Sequence, residues 1–108
     1  LQLKTMFTTV LDMLDMAKRA LDEENPDLAT SVLAKDNLLD DINSAVTPIL
    51  ADYLGEHPDD RLTCLNLVSV FRKLERAGDH ITNMAEEIIF FVNAKVLKHQ
   101  GNTDEHYI

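Results

Sequence analysis

The chain has 108 residues and a formal net charge of -9, because 19 acidic side chains outnumber 10 basic ones. This length suffices for one domain with one hydrophobic core, and 45% hydrophobic residues argue against wholesale disorder. The acidic balance argues against a nucleic-acid partner, whose phosphates require a basic surface. The single cysteine, Cys64, excludes a disulfide framework and a cysteine-based metal site. We therefore expect a cytoplasmic protein.

The first predicted helix runs from about Leu3 to Glu24. Its apolar residues recur at alternating steps of three and four, which is typical of a helix that packs one seam against its neighbours. The seam consists of Leu3, Met6, Val10, Met13, Ala17 and Ala20. Asn25 is a favourable capping residue and Pro26 suits the first position of a helix, so this pair predicts the start of a second helix.

The second predicted helix runs from about Pro26 to Tyr53 and contains Pro48. An interior proline removes one backbone hydrogen bond, at roughly 3 kcal/mol, so we expect a kink near Ala45 or an early end. The predicted seam consists of Leu28, Val32, Leu39, Ile42, Val46, Ile49 and Tyr53, with Lys35 at the remaining turn.

The third predicted helix follows a break at Gly55–Pro58 and runs from about Asp59 to Lys98, with a loose tail over about 101–108. Its seam consists of Leu67, Phe71, Leu74, Gly78, Ile81, Ala85, Ile88 and Val92. Three such helices with short connections predict an all-α fold, an antiparallel up-down-up three-helix bundle of spectrin-repeat-like architecture. We expect one domain over residues 1–108.

Two pairs of carboxylates at four-residue spacing lie beside the seams. Asp36 and Asp40 belong to the second predicted helix, and Glu75 and Asp79 to the third. Residues four apart project from one helix face, and consecutive helices of a bundle are neighbours, so the four carboxylates could share one patch. Their mutual repulsion would favour protonation, separation or a bound metal. All-oxygen ligands favour Mg²⁺, Ca²⁺, Mn²⁺ or ferric iron.

A solvated acidic surface is the alternative to a metal site. Arg72 precedes Glu75 by three residues and Arg76 precedes Asp79 by three, so ordinary ion pairs could neutralise the carboxylates. The sequence has no Glu followed by His after three residues, no glycine-rich phosphate loop and no nucleophile elbow. We therefore expect no enzymatic activity, although a carboxylate-bridged metal hydrolase or oxidase is a rival hypothesis.

The third helix carries a motif that resembles the signature of the PhoU family, bacterial and archaeal regulators of phosphate uptake. The motif reads LERAGDH at 74–80, followed by NMAE at 83–86. The resemblance extends to Asp36-x-x-x-Asp40 and to residues 91–99, and thus covers nearly the whole chain. Family members are helical bundles, typically two three-helix repeats in tandem. In some members, paired acidic motifs bind multinuclear iron or zinc clusters.

The resemblance implies both a metal site and a role in phosphate signalling. A metal-binding adaptor of this type docks to the phosphate ABC transporter and to a phosphate-sensing histidine kinase, and it represses the phosphate-starvation regulon. The implied cofactors are Fe, Zn, Mn or Mg ions. The implied ligands are Asp36, Asp40, Glu75 and Asp79, with Asn83 and Glu86 as outer partners.

The length departs from the family pattern, because only one repeat is present and its ending resembles that of a C-terminal repeat. Either an N-terminal repeat has been removed, or the chain is the cytosolic PhoU-like domain of a larger protein such as a sodium–phosphate cotransporter. A plain helical dimerisation domain without a ligand is a further alternative.

An apolar run from Ile88 to Val92 covers all sides of the third predicted helix. This is more apolar surface than two partner helices can hide, so we expect a homodimer or a higher oligomer. The run is far shorter than a membrane span. We therefore expect contact with a membrane only indirectly, through a transporter.

Overall fold

The computed structural model describes residues 2–100, which form helices and no strand. Helix α1 spans Leu3–Asp22, α2 spans Pro26–Glu56 and α3 spans Arg61–Gln100, with a 3₁₀ turn at Pro58–Asp60. Each helix packs against the other two in a bundle of 67 × 19 × 16 Å. The predicted all-α three-helix fold is confirmed. The predicted loose tail over 101–108 lies outside the described residues.

The connection between α1 and α2 contains one residue in the left-handed backbone conformation. Glu24 has a φ of 51°, so α1 ends two residues before the predicted end. The amide of Asn25 donates to the carbonyl of Ala20 at 2.9 Å, which is the long bond of a Schellman closure. The Asn25 side chain accepts a hydrogen bond from the amide of Leu28 at 3.1 Å, and Pro26 takes the first helical position. The predicted start of α2 is confirmed.

Helix α2 continues three residues beyond the predicted end at Tyr53. Pro48 lies inside the helix, so the predicted early end is wrong, whereas the predicted kink stays a prediction. Gly55 has no positive φ and causes no break. The helix ends at Glu56. The next residue, His57, has a φ of -132° and a ψ of 67°, outside the helical region, and the proline that follows it disfavours helical backbone at this position.

The core follows one face of each helix. Every member of the seams predicted for the first and third helices is buried or half-buried, so both seams are confirmed. Thr9 is also buried in α1, where its hydroxyl donates to the carbonyl of Thr5 at 2.7 Å. The buried side chains are Met6, Thr9, Met13, Ala17, Ala20, Ala29, Val32, Leu39, Ile42, Val46, Leu50, Cys64, Phe71, Leu74, Ile81, Ala85 and Val92.

The seam predicted for the second helix is wrong at its C-terminal end. Ile49 is 47% exposed and Tyr53 is 40% exposed, whereas Leu50 is buried and Leu54 is half-buried. The physical reason is that an α-helix repeats every 3.6 residues, so its contact stripe drifts away from a strict heptad.

The seam predicted for the second helix is also wrong at its middle turn. Lys35 is exposed, whereas Asp36, one turn after Val32 on the inward stripe, is half-buried. Steps of four and three connect Val32, Asp36 and Leu39, so the acidic residue lies on the inward stripe that the sequence assigned to Lys35. A carboxylate therefore occupies a position that an apolar residue takes on neighbouring turns.

Helices α2 and α3 approach closely at Gly78. A Cβ atom on this buried glycine would lie 2.3 Å from Cδ1 of Leu39 and 3.2 Å from Oδ1 of Asp36. Leu39 is fully buried, so its methyl group fills the space that a side chain at Gly78 would need. Glycine inside a helix costs about 1 kcal/mol relative to alanine, and this packing offsets that cost.

The apolar run 88–92 is partly covered. Val92 is buried, and three residues of the run are half-buried, whereas Phe90 is 68% exposed. Within residues 2–100, no helix is long and apolar enough to cross a membrane.

Alanine substitutions at the two helical glycines outside the tail should have opposite effects on stability. We expect Gly78→Ala to lower the free energy of unfolding by about 1 kcal/mol, because overpacking against Leu39 outweighs the gain in helix propensity. Gly55→Ala is the matched control, since a Cβ there meets nothing within 4 Å; it should stabilise by about 0.5–1 kcal/mol. Urea denaturation measures both, and equal stabilisation by the two substitutions would refute the close approach.

Candidate cation site on the α2–α3 face

The four predicted carboxylates lie near one another across α2 and α3. The charges of Asp40 and Asp79 act on Asp36, and the same two charges act on Glu75. Each helix therefore contributes one half-buried carboxylate and one exposed carboxylate to a shared cluster. We call Asp36, Asp40, Glu75 and Asp79 the carboxylate cluster.

Asp36 is the most constrained member of the carboxylate cluster. Its Oδ1 atom is buried and has no hydrogen-bond partner within the described part of the chain. Because Gly78 lacks a side chain, this oxygen has room to lie against α3. A buried oxygen without a partner loses its hydration and gains no hydrogen bond in exchange. Either a proton or a bound cation would relieve this cost.

Burial and neighbouring negative charges both raise the pKa of two of the four carboxyl groups. Burial raises the pKa of Asp36 above its ordinary value, and the charges of Asp40 and Asp79 raise it further. Burial likewise raises the pKa of Glu75, with the same two carboxylates adding to the effect, whereas the Asn43 side chain lowers it. The protonated form is thus favoured at both half-buried positions.

Asn43 and Gly78 belong to the site, although the ligand set inferred from the sequence omits them. The amide of Asn43 stabilises the charged form of Glu75, and Gly78 leaves room for the buried oxygen of Asp36. The signal for Asn43 was its position on the same helix stripe as Asp36 and Asp40. The predicted outer partners Asn83 and Glu86 are exposed on α3, and neither is among the causes of the two raised pKa values.

The arginines of α3 do not neutralise the cluster. Within the described part of the chain, Arg72 and Arg76 form no ion pair, so the structure does not support the solvated alternative in the form predicted. The ion pairs given by the structure join Lys18 to Asp22, Arg19 to Glu23 and Lys95 to Glu24.

The donor atoms fit a hard cation, because all are oxygens of carboxylate or amide groups. In the described residues, no three His, Cys, Asp or Glu side chains converge in an arrangement that holds a metal ion. Binding would therefore require some of the carboxylates to change rotamer. Asp40 and Asp79 are exposed and have the freedom to do so.

The two raised pKa values predict how stability depends on pH in metal-free protein. A carboxyl group with a raised pKa binds its proton more tightly in the folded state, so its contribution to stability is fully present below its unfolded pKa. That contribution is lost as the pH rises through the folded pKa. The pH range in which stability falls therefore begins near the ordinary pKa values, 3.8 for Asp and 4.5 for Glu, and extends to higher pH.

Asp36→Asn removes the negative charge of the ionised Asp36 side chain, so stability should fall less as the pH rises. In the presence of a chelator, the variant should melt at a higher temperature than the parent at pH 7, and the difference should shrink as the pH approaches 4. Asp52→Asn, at an exposed position of α2, is the control for the change in net charge. Parallel pH profiles for Asp36→Asn and Asp52→Asn would contradict the prediction.

Comparison with known proteins identifies the family. A family model described as the PhoU domain matches residues 3–88. The chain is 31% identical over 97 residues to the phosphate-specific transport system accessory protein PhoU homolog 1 of Thermotoga maritima, across 90% of this chain and 42% of that protein. It is 35% identical over 91 residues to the PhoU homolog of Pseudomonas aeruginosa, across 82% and 38%. The chain thus spans about two fifths of the length of these curated relatives. No solved structure matches it. The chain belongs to the PhoU family.

Proposed function

We propose that this chain regulates phosphate transport as a non-enzymatic accessory protein. The observation that carries the proposal is the PhoU-domain match over residues 3–88, together with relatives named as accessory proteins of a phosphate-specific transport system. These names favour an accessory regulator over a domain of a sodium–phosphate cotransporter. The net charge of -9 agrees with a protein partner rather than a nucleic acid.

The mode of action that we propose is docking. The partners are components of the phosphate ABC transporter and a phosphate-sensing histidine kinase, as the family resemblance implies. The carboxylate cluster would give the docking face its charge, because it concentrates four acidic groups on α2 and α3. A cation bound there would change that charge, and with it the electrostatic fit to a partner.

We also propose that the carboxylate cluster binds a metal cation, of which Fe, Zn, Mn and Mg are the candidates. The support is the buried, unpartnered Oδ1 of Asp36, together with the burial and the repulsion between carboxylates that raise the pKa values of Asp36 and Glu75. When bound, the cation supplies the positive charge that the neighbouring arginines do not. Asp40 and Asp79 would complete the ligand set by turning toward it.

Cation binding predicts a rise in melting temperature by mass action. At a free metal concentration of a hundred times Kd, the folded state gains about 2.7 kcal/mol, and each kcal/mol raises Tm by roughly 4–8 °C in a domain of this size. Scanning calorimetry with Mn²⁺, Zn²⁺ or ferric iron measures the shift. Elemental analysis of the purified protein gives the metal content independently.

The controls for this prediction are two double variants with the same change in charge. Asp36→Asn with Asp79→Asn should abolish the metal-dependent shift, because it removes one ligand from each helix. Asp52→Asn with Asp59→Asn changes two exposed aspartates outside the carboxylate cluster and should retain the shift. Equal shifts in all three proteins would eliminate the cation site and leave an acidic surface that docks by charge alone.

The regulatory role is tested in the organism that encodes the chain. Deletion of its coding sequence should switch on a phosphate-starvation reporter in phosphate-rich medium, and reintroduction of the gene should restore repression. Phosphate uptake measured in the same strains reports on the transporter. Unchanged reporter activity and unchanged uptake after deletion would contradict a role in phosphate regulation.

A further inference from the structure

Helix α2 has an outward stripe on which apolar and acidic side chains alternate. Its members follow one another at steps of three and four, so they lie on one side of the helix. All of them are exposed, with Leu38 at 43% and Ile49 at 47%. The stripe consists of Leu38, Asp41, Ala45, Ile49 and Asp52. Ile49 therefore contributes to a surface rather than to the core.

The stripe borders an open groove between the start of α1 and the middle of α2, which we call the α1–α2 groove. The groove has a volume of about 240 Å³, and Gln2 lines it from the side of α1. Its α2 side is lined by Leu38, Asp41, Ile42, Ala45, Val46 and Ile49. Five of these six residues are apolar, and Ile42 and Val46 belong to the buried core. The groove therefore suits the apolar side chains of a partner.

We propose that the α1–α2 groove is a docking site for a basic amphipathic helix of a protein partner. The sign of the partner follows from charge. Helix α2 carries six acidic residues and one basic residue, Lys35, and Asp41 itself lines the groove. Such a surface attracts lysine and arginine side chains, and it repels anionic membranes and nucleic acids. A symmetric pair of copies is also disfavoured here, because it would bring two acidic α2 helices together.

The shape of the groove favours a helix as the occupant. Helix α3 packs against both α1 and α2, but no residue of α3 lines the groove. The groove is therefore the outer side of a helix pair whose other side already holds a helix. From Leu38 to Ile49 the groove is about 17 Å long, or three helical turns. A partner helix with apolar residues at positions i, i+4 and i+7 would span it, and its flanking basic residues would face Asp41 and Asp52.

The α1–α2 groove is separate from the carboxylate cluster. Asp40 is two residues from Leu38 and therefore about 200° round the helix from it. A helix in the groove would leave the carboxylate cluster uncovered. The inference rests on the proposed docking function, because it gives the chemistry of the partner, but it does not require a bound cation.

Fluorescence anisotropy with a labelled synthetic helix tests the proposal on the purified chain. The probe is a peptide of leucine, lysine and alanine, about 18 residues long so that it can fold as a helix, with its leucines at steps of three and four. We expect micromolar binding that weakens as salt is added. A peptide of the same composition in scrambled order, and one with glutamate in place of lysine, should bind about tenfold more weakly or worse. Equal binding of either control peptide would overturn the proposal.

Two exposed alanines of α2 test where the peptide binds. Ala45→Arg places a bulky cation in the groove and should weaken binding of the leucine–lysine peptide about tenfold or more. Ala51→Arg is the matched control, because it makes the same change in net charge on the same helix but outside the groove; it should leave binding within about twofold. Equal losses in the two variants would overturn the proposal. So would a change in the sedimentation of the chain alone caused by Ala45→Arg, because a second copy would then be the occupant.

A milder pair of variants tests the role of charge without adding bulk to the groove. Asp41→Asn should weaken peptide binding and reduce its dependence on salt, because one attractive charge is lost. Asp15→Asn, at an exposed position of α1 outside the groove, should change neither quantity. Identical binding and salt dependence in the two variants would contradict the charge argument.

The phosphate-starvation reporter separates failure of this inference from failure of the proposed function. In the deletion strain, the gene carrying Ala45→Arg should leave the reporter on, whereas the gene carrying Ala51→Arg should restore repression. Full repression by Ala45→Arg would overturn the groove as the docking site while the regulatory role stands. A reporter that does not respond to the deletion itself would instead contradict the proposed function, and the peptide measurements would then decide the groove.

Discussion

The contact between Leu39 of α2 and the bare surface of Gly78 on α3 is the constraint on which the candidate site depends. At this point a side chain on one helix fills the space that a Cβ on the other would need. The two helices can therefore approach closely one turn away from Asp36. That residue follows Val32 and precedes Leu39 on the inward stripe, so the approach that packs the leucine also buries an oxygen of the aspartate. Packing and burial of charge have the same origin.

The carboxylate cluster is locally unfavourable, because its like charges repel one another in a fold that is otherwise stabilised by apolar packing. Two of its members are half-buried and two are exposed, so solvent screens part of the repulsion while burial strengthens the remainder. The raised pKa values of Asp36 and Glu75 express this conflict as a preference for the proton. A protein that needed only stability would gain from an apolar residue at position 36. An acid at this position agrees with the proposed cation binding, in which a proton and a cation would compete for the same oxygens.

Much of the fold was predictable because its signals are local. Asn25 caps α2 through its own side chain, and the seam of α3 is strong enough to fix its buried face. The errors arose where local pattern does not determine the answer. A strict heptad placed Ile49 and Tyr53 in the core, but the helix turns slightly more slowly than its 3.5-residue repeat and buries Leu50 instead. The left-handed Glu24 ended α1 early although no glycine marked the position.

The sequence was sufficient to predict which residues form the candidate site, but not how deeply each of them is buried. Four-residue spacing brings carboxylates to one side of a helix, whichever way the helix is rotated in the bundle. The degree of burial depends on that rotation, and it distinguishes Asp36 from Lys35, its neighbour by one residue.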